Sequence, residues 1–482
     1  MNIRHFLFLI VLLCSRLEHT GSIVYVVSTD SSGSSCPQDH CRTLNEWIES
    51  GTSPFTNEST VMLSPGVHVI NTTEKGLFTE NGHSVVFTSV ESQTTVWCIN
   101  EFIFEFFDCE DIEVSNIVFK SCALNHTDQI NLELLDPEKV RVSSTLLFWH
   151  VNHVKVMSVV IVNGGLIIHR TESCMNTTIM LHNLSINSHN IGILFTVQPQ
   201  SGLDYNCILP DLLYLKNSDL SKASVYMDAQ CTDINLQNVS VEQVTLPYFT
   251  IKIQHALSVI LENITVRNST PKGLLHVGTI DVEFRGHTLF HGNNIDGGDV
   301  GVYFQVEKSL IIYPQSKLEF ICNHIIGGSL LQVNAGYDGA GYDVEGYLGE
   351  LFKSRTSIAF INNTLINGGY VMLIKSSRKL FIHNSELTFE NNIIKHEISD
   401  HERSIMAVLI FTSSTVSLAY TNMTFLNNSV THGGIFVVKR TTFIMDNFNA
   451  TFEYNEGGDG GAMAFYQKSY ICLLYTSDAA DE

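Results

Sequence analysis

The hydrophobic and polar positions of this chain alternate in short runs, as they do in half-buried β-strands. Apolar residues take every second position at Ile112 and Val114, and the alternation resumes one position later at Ile117 and Phe119. Such a slip moves the following side chains to the other face of a strand unless the backbone bends. Asn116 stands at the slip, and Asn tolerates the left-handed conformation of a tight bend. The pattern therefore predicts two short strands around a corner, with one buried lining.

The alternating segment around residues 112–119 belongs to a repeat. Further copies begin at Val154, Ile179, Ile234 and Val259. From about residue 280 a second form takes over, Phe-x-x-Asn, which most copies follow with a Gly-Gly pair and an apolar strand. Its copies are Phe290 with Asn293, Phe320 with Asn323, Phe360 with Asn363, Phe389 with Asn392, Phe425 with Asn428, and Phe452 with Asn455.

The repeat indicates stacked coils. One coil of short strands cannot bury its apolar face, but stacked coils enclose a continuous core and pair their strands in parallel. We therefore expect an all-β solenoid, a single elongated domain with Phe side chains stacked inside and Asn amides in ladders at the corners. A β-sandwich or propeller is the alternative, and it would need more hairpin turns than the clear Asn-Gly signals at Asn81, Asn163 and Asn367 provide.

Composition narrows the class of protein. The chain has 482 residues, 44% of them hydrophobic and 16% charged, and its formal net charge is -22. It is too apolar for a disordered polymer, and it lacks the long apolar runs of a polytopic membrane protein. The negative charge argues against electrostatic binding of the protein to nucleic-acid phosphates.

Both ends carry segments outside the predicted solenoid. Residues 1–22 have the polar start, short apolar core and small final residues of a secretory signal peptide. Residues 472–482, CLLYTSDAADE, resemble the translation of a transposase sequencing adapter, so we expect natural sequence to end near Ile471 and the protein to be truncated there. We expect residues 23–95 to form an N-terminal cap with the first coils, and residues 96–471 to form the stacked coils.

Cysteine and asparagine usage points to the secretory compartment. Most cysteines lie before residue 232, where disulfides are expected in a secreted chain, and Cys36 and Cys41 are the most local candidate pair. In a strand the Asn and the hydroxyl residue of an Asn-x-Ser/Thr sequon share one face, and the apolar residue between them takes the other, which leaves the Asn outward for a glycan. The twelve predicted glycosylation sites are Asn57, Asn71, Asn125, Asn176, Asn183, Asn238, Asn263, Asn268, Asn362, Asn422, Asn427 and Asn449.

The second repeat form resembles that of the polymorphic outer-membrane proteins, whose signatures are Phe-x-x-Asn and Gly-Gly-Ala-aliphatic. Residues 460–463, Gly-Gly-Ala-Met, nearly reproduce the second signature, although most copies in this chain lack the Ala. More broadly the chain resembles the right-handed parallel β-helix, or pectin-lyase-like, proteins of extracellular and surface locations. The resemblance implies a right-handed parallel β-helix. It implies no particular activity.

The resemblance also raises an enzymatic alternative, because β-helix families include pectate lyases and polygalacturonases. Polygalacturonases carry Asn-Thr-Asp, Asp-Asp, Gly-His-Gly and Arg-Ile-Lys strings, and none of these occurs in the sequence. We therefore predict no catalytic residue and no metal-ligand set, and the sequence argues against an enzyme more than for one.

One segment is a candidate ligand loop. A five-residue unit occurs three times in succession, as GYDGA, GYDVE and GYLGE, and it sets Tyr337, Tyr342 and Tyr347 beside Asp338 and Asp343. Tyr faces can stack on sugars, and the carboxylates could hold Ca²⁺, which is the only cofactor that the pattern suggests. The alternative is a loop that bulges from one coil without a ligand.

Together these features predict a secreted or surface-displayed glycoprotein whose β-helix is a non-catalytic recognition or adhesion scaffold for extracellular glycans or proteins. The alternatives are a lyase or hydrolase of acidic polysaccharides, and the ectodomain of a membrane receptor whose anchor lies beyond the truncation. No nucleic-acid partner is expected.

Overall fold

The structure is a computed structural model of the chain. It describes residues 23–28, 43–49, 58–72, 76–80, 84–89, 94–100, 102–123, 144–170, 177–189, 191–197, 210–246, 249–297, 300–335, 349–350, 356–396, 406–458, 461–466 and 469–474. Contacts divide the chain into two compact units, of which unit 1 comprises Met1–Thr171 and Thr177–Ser188, and unit 2 comprises Glu172–Asn176 and His189–Glu482.

Short strands make up nearly all of the described part of unit 1. They are β1 (Ile23–Val27), β2 (Ser59–Leu63), β3 (Val67–Ile70), β4 (Gly76–Glu80), β5 (Ser84–Ser89), β6 (Thr94–Cys98), β7 (Ile103–Phe107), β8 (Asp111–Ser115), β9 (Ile117–Lys120), β10 (Leu146–Trp149), β11 (His153–Met157), β12 (Val160–Val162), β13 (Leu166–Arg170), β14 (Thr178–His182) and β15 (Ser185–Asn187), with one helix, α1 (Leu44–Glu49).

Unit 2 continues with strands of more variable length. They are β16 (Ile191–Val197), β17 (Asp211–Ser221), β18 (Ser224–Asp228), β19 (Thr232–Glu242), β20 (Phe249–Arg267), β21 (Gly273–Arg285), β22 (His287–His291), β23 (Asn294–Asp296), β24 (Val300–Ile312), β25 (Lys317–Ile321), β26 (His324–Ile326), β27 (Ser329–Ala335), β28 (Gly349–Glu350), β29 (Thr356–Ile361), β30 (Thr364–Ile366), β31 (Tyr370–His383), β32 (Ser385–Glu390), β33 (Ile393–Lys395), β34 (Met406–Ala419), β35 (Asn422–Leu426), β36 (Ser429–Val430), β37 (Gly433–Lys439), β38 (Thr442–Asp446), β39 (Asn449–Glu453), β40 (Glu456–Gly457), β41 (Met463–Tyr466) and β42 (Tyr470–Leu474).

Each strand pairs with its counterpart one coil away, in parallel. In unit 1 the series β2–β5–β8–β11–β14, β3–β6–β9–β12–β15 and β4–β7–β10–β13 run along the unit. In unit 2, β18–β20–β21–β24–β27–β31–β34–β37–β41 form one sheet, β22–β25–β29–β32–β35–β39 a second, and β23–β26–β30–β33–β36–β40 a narrow third. The predicted all-β solenoid of parallel strands is confirmed.

The corners form as the repeat predicts. At the phase slips, Asn116, Asn183, Asn238 and Asn263 have φ of 58°, 53°, 53° and 54°, which lie in the left-handed region. The residues before and after each corner point their apolar side chains into one core, so the slip in alternation follows the bend of the backbone.

The Phe-x-x-Asn copies stack in register. Neighbouring Phe rings lie 4.7–5.0 Å apart between centroids with interplanar angles of 3–10°. The Asn side chains form a buried ladder beside them, which Asn363 illustrates. Its Nδ2 donates to the Phe320 carbonyl at 2.9 Å and to Asn392 Oδ1 at 2.9 Å, while its Oδ1 accepts from the backbone N and from Nδ2 of Asn323, both at 3.0 Å. All four hydrogen-bonding positions of the amide are filled, and this satisfies a polar group inside an apolar core.

A capping box begins α1 in the N-terminal part of unit 1. The Glu46 backbone N–H donates to Thr43 Oγ1 at 3.1 Å, and the Thr43 N–H donates to Glu46 Oε2 at 3.0 Å. Trp47 on the next position is buried, with its ring edge-on to Tyr25 at 5.3 Å. The helix thereby covers apolar side chains near β1.

Disulfides lie in the N-terminal half of the chain, as cysteine usage predicts. Cys98 at the end of β6 is bonded to Cys122, which follows β9, so the bridge joins neighbouring coils of unit 1. Cys231 is also disulfide-bonded. The candidate pair Cys36 and Cys41 lies outside the described residues.

Candidate functional site

The predicted glycosylation sites that the structure describes are exposed. They are Asn71, Asn183, Asn238, Asn263, Asn268, Asn362, Asn422, Asn427 and Asn449. Those beyond residue 180 lie at corners or at the first position of a strand, while the middle residue of a sequon points inward, as for Val239 and Ile264. Glycosylation itself stays a prediction.

Several predicted residues lie outside the described part of the chain. These are the sequon residues Asn57, Asn125 and Asn176, and the candidate ligand loop with Tyr337, Asp338, Tyr342, Asp343 and Tyr347. The loop follows β27 directly in the sequence. The adapter-like segment is described only at 472–474, within β42. Its origin stays a prediction.

The first sheet of unit 2 carries two adjacent rows of outward side chains, which we name the sheet-face strip. Inward neighbours such as Ile253, Val277 and Phe304 are buried, so the residues between them face outward. The first row is Tyr226, Lys252, His276, Tyr303 and Gln332, and the second row is Asp228, Gln254, Gly278, Gln305 and Asn334. Each row crosses five parallel strands and is therefore about 19 Å long.

Aromatic rings and one cation form the first row up to Tyr303, and Gln332 ends it. The Lys252 ammonium lies over the Tyr226 ring, 5.2 Å from its centroid. The His276 ring meets Tyr303 edge-on at 5.0 Å and Phe249 edge-on at 5.2 Å. Tyr226 is buried, whereas Lys252, His276 and Tyr303 are half-buried. The row therefore offers ring surface and one positive charge to a ligand that lies along the sheet.

Amides dominate the second row. The Tyr226 hydroxyl donates to Gln254 Oε1 at 3.3 Å, and Asn334 Nδ2 donates to the Tyr303 hydroxyl at 2.8 Å. Because Tyr303 Oη accepts this bond, its own proton stays available to an acceptor outside. The Gln305 amide has no hydrogen-bond partner among the described residues.

A β-bulge in β20 interrupts the register of the strip between β20 and β21. The β20–β21 register shifts between Ile253 and Ala256, so that Gln254 and His255 together oppose Gly278. His255 adopts φ of 58°, and its Nδ1 lies 2.7 Å from Asp228 Oδ1. The bulge thus turns an imidazole toward the carboxylate at the end of the second row.

Burial sets the protonation of the strip. Burial, reinforced by the Asp228 charge, raises the pKa of Tyr226 to about 12. Burial, reinforced by the Lys252 charge, lowers the pKa of His276 to about 4. The hydrogen bond to Asp228 raises the pKa of His255. At neutral pH the Tyr226 phenol and the His276 ring are therefore both uncharged.

The chemistry of the sheet changes beyond β27. The first row continues as Leu373, Ile410, Val437 and Ala464, which are apolar. The sequon residue Asn263 belongs to β20 but lies at its later corner, and the strand segments that carry the two rows contain no sequon. The sheet-face strip is therefore bounded toward later coils and, in its described residues, offers no glycan attachment site.

The two rows of the strip hold a single carboxylate. Hydrolysis of a glycoside uses a pair of carboxylates, and Asp228 is the only carboxylate in the two rows. Within the described ranges, no three His, Cys, Asp or Glu side chains converge as a metal site. No helix among the described residues is long and apolar enough to cross a membrane.

The sequence patterns do not reveal the strip. Its residues differ from coil to coil, so no motif repeats, and their alignment depends on coil length and on the bulge in β20. The available signal is the polar or aromatic residue between two inward apolar ones, as at Tyr303 between Val302 and Phe304. That signal locates an outward position but does not show which outward positions meet.

No family model matches the chain, and no curated protein matches it. Solved structures do show similarity to it. An exopolygalacturonase of Yersinia enterocolitica is 8% identical with a TM-score of 0.27, over 93% of this chain and 78% of that one. PfbA, a surface adhesin of Streptococcus pneumoniae, is 11% identical with a TM-score of 0.30, over 91% of this chain and 93% of that one. The Agl-KA catalytic domain is 11% identical with a TM-score of 0.26, over 87% of this chain, which spans only 64% of that domain. With TM-scores this low, the fold assignment rests on the strand pairing described above.

Proposed function

We propose that this protein is a secreted or cell-surface, N-glycosylated β-helix protein that binds extracellular glycans along the sheet-face strip without cleaving them. The observation that carries the proposal is the strip itself, with aromatic and amide side chains in register over five strands. Rings offer faces and edges to the C–H groups of a sugar, and planar amides can pair with its hydroxyls.

The distribution of sequons supports the same surface. The described sequon residues are exposed, and none of them is a residue of the strip or lies between its two rows. Glycans at the corners would extend from other surfaces and would leave this face accessible to a ligand. The charge supports a neutral or weakly charged ligand, because the two rows hold one cation, Lys252, and one carboxylate, Asp228.

The test is binding of the secreted protein to an array of neutral and acidic oligosaccharides. Tyr303→Ala should weaken binding to the selected glycan at least about tenfold, because the ring and its hydroxyl face the ligand. Tyr420→Asn is the matched control, since Tyr420 is 58% exposed at a corner with φ of 50°, where Asn is well tolerated. Equal losses in the two variants would reject the strip as the binding surface.

The enzymatic alternative requires a separate measurement. The protein is incubated with polygalacturonate and other uronic polymers, and new reducing or unsaturated ends are measured over time. We expect none above the level of a heat-denatured sample. Accumulation of such ends, if Asp228→Asn or His255→Gln abolishes it, would replace the proposal by a catalytic one.

A further inference from the structure

Gly278 leaves a notch in the second row of the strip. A Cβ added at Gly278 would meet nothing within 4 Å, so the surface beside the backbone is open there. Gly278 is not among the residues with positive φ, and the backbone therefore has no conformational need for glycine. A Cβ would fit here without a clash, yet the row has no side chain at this position.

The walls of the notch are polar, and His255, which shares with Gln254 the position opposite Gly278, is bonded through its Nδ1 to Asp228 Oδ1 at 2.7 Å. Gln254 and Gln305 lie on the strands at either side of β21, about 10 Å apart across the gap. His276 stands two residues earlier on the same face and is neutral at physiological pH, because burial lowers its pKa to about 4. The Lys252 ammonium lies over the Tyr226 ring, on the side of β20 away from Gly278.

We infer that the notch at Gly278 is a subsite for the acetamido group of a 2-acetamido sugar, so that the strip selects N-acetylated glycans. This inference rests on the proposed function. An acetamido group has one N–H donor, one carbonyl acceptor and a methyl group. Each Gln amide supplies both a donor and an acceptor, and the bare glycine backbone leaves room for the methyl. A carboxylate would need a cation at the notch. The Lys252 ammonium lies over the Tyr226 ring, and the His255 imidazole beside the notch is already paired with the Asp228 carboxylate.

The experiment compares two probes that differ only in this group. Titration calorimetry measures the Kd of the N-acetylglucosamine trisaccharide and of the corresponding glucose trisaccharide. We expect the N-acetylated probe to bind at least about tenfold more tightly. The glucose probe lacks the acetamido group and therefore leaves the notch amides unpaired. Gly278→Val fills the notch and should reduce this preference to within about twofold. Thr412→Val, in the same row two coils beyond Asn334, should leave the preference unchanged.

The outcomes separate the inference from the proposed function. Binding of both probes with equal Kd would reject the acetamido subsite and leave glycan binding intact. A preference that survives Gly278→Val would also reject the notch as its cause. Absence of binding to both probes and to the whole oligosaccharide array would reject the proposed function together with the inference. Thermal unfolding of each variant verifies that the fold is retained.

Discussion

At the scale of single residues, the buried Asn ladder shows how polar side chains support an apolar core. Each ladder amide in the middle of the series hydrogen-bonds to the coil before it and to the coil after it. A buried amide is costly when unpaired and stabilising when all its positions are filled. Phe-x-x-Asn therefore works as a unit, in which the ring fills the core and the amide fixes the corner.

Asn363→Leu tests this ladder. The substitution keeps the branched shape of the side chain but leaves the Asn323 amide groups, the Phe320 carbonyl and Asn392 Oδ1 without one partner each. We expect the free energy of unfolding to fall by about 3 kcal/mol or more. Asn362→Gly is the control, because Asn362 is exposed with φ of 55° and glycine accepts that conformation. Similar melting temperatures for the two variants would contradict the role assigned to the ladder.

The lowered pKa of His276 makes the stability of the folded protein decrease as the pH falls. Its pKa is about 4 in the folded protein against an ordinary value of 6.5, so the unfolded chain takes up the proton first as the pH falls. The stability contributed by the neutral ring is present above pH 6.5 and is lost as the pH falls toward 4. His276→Gln does not titrate. We therefore expect its melting temperature, relative to the parent protein, to rise steadily as the pH is lowered through this window.

The pKa of His255 shifts in the opposite direction, and so does its effect on stability. The hydrogen bond to Asp228 raises the pKa of His255, so its stabilising contribution is full below 6.5 and is lost as the pH rises through the folded value. His255→Gln should therefore lower the melting temperature more in acid than at alkaline pH. Parallel pH profiles for both variants and the parent would exclude these ionisations as contributors to stability.

At the scale of strands and corners, the sequence predicts what repeats and misses what varies. The Phe and Asn positions recur, and a repeated residue in a solenoid meets its own copies, so the Phe stack and the Asn ladder follow from spacing. The strip residues do not recur. Tyr303 meets His276 and Asn334 only because the coil lengths and the β20 bulge align them. Those alignments depend on the three-dimensional path of each turn, which alternation alone does not specify.

Two glycines illustrate how position in an element decides the effect of a substitution. Gly433 has φ of 122°, and a Cβ there would collide with the Met406 carbonyl oxygen, a backbone atom. Gly433→Ala should therefore destabilise the protein by about 2 kcal/mol or more. Gly278→Ala meets open space at an ordinary strand φ and should be neutral, or stabilising by up to about 1 kcal/mol. Thermal unfolding compares the two directly, and a larger loss at Gly278 would contradict the open notch.

At the scale of the whole molecule, the strong negative charge and the exposed sequons suit an extracellular protein. The exposed sequons also predict where the protein is glycosylated. Expressed in a eukaryotic secretory host, the protein should carry N-glycans at described corner sites such as Asn183, Asn362 and Asn427, which are exposed. Enzymatic removal under native conditions converts each modified Asn to Asp, so peptide mass spectrometry counts the occupied sites. Because the strand segments that carry the strip contain no sequon, removal should leave the Kd for the array-selected glycan within about twofold. A tenfold or larger change in Kd would mean that the attached sugars contribute to recognition, and that the strip does not act alone.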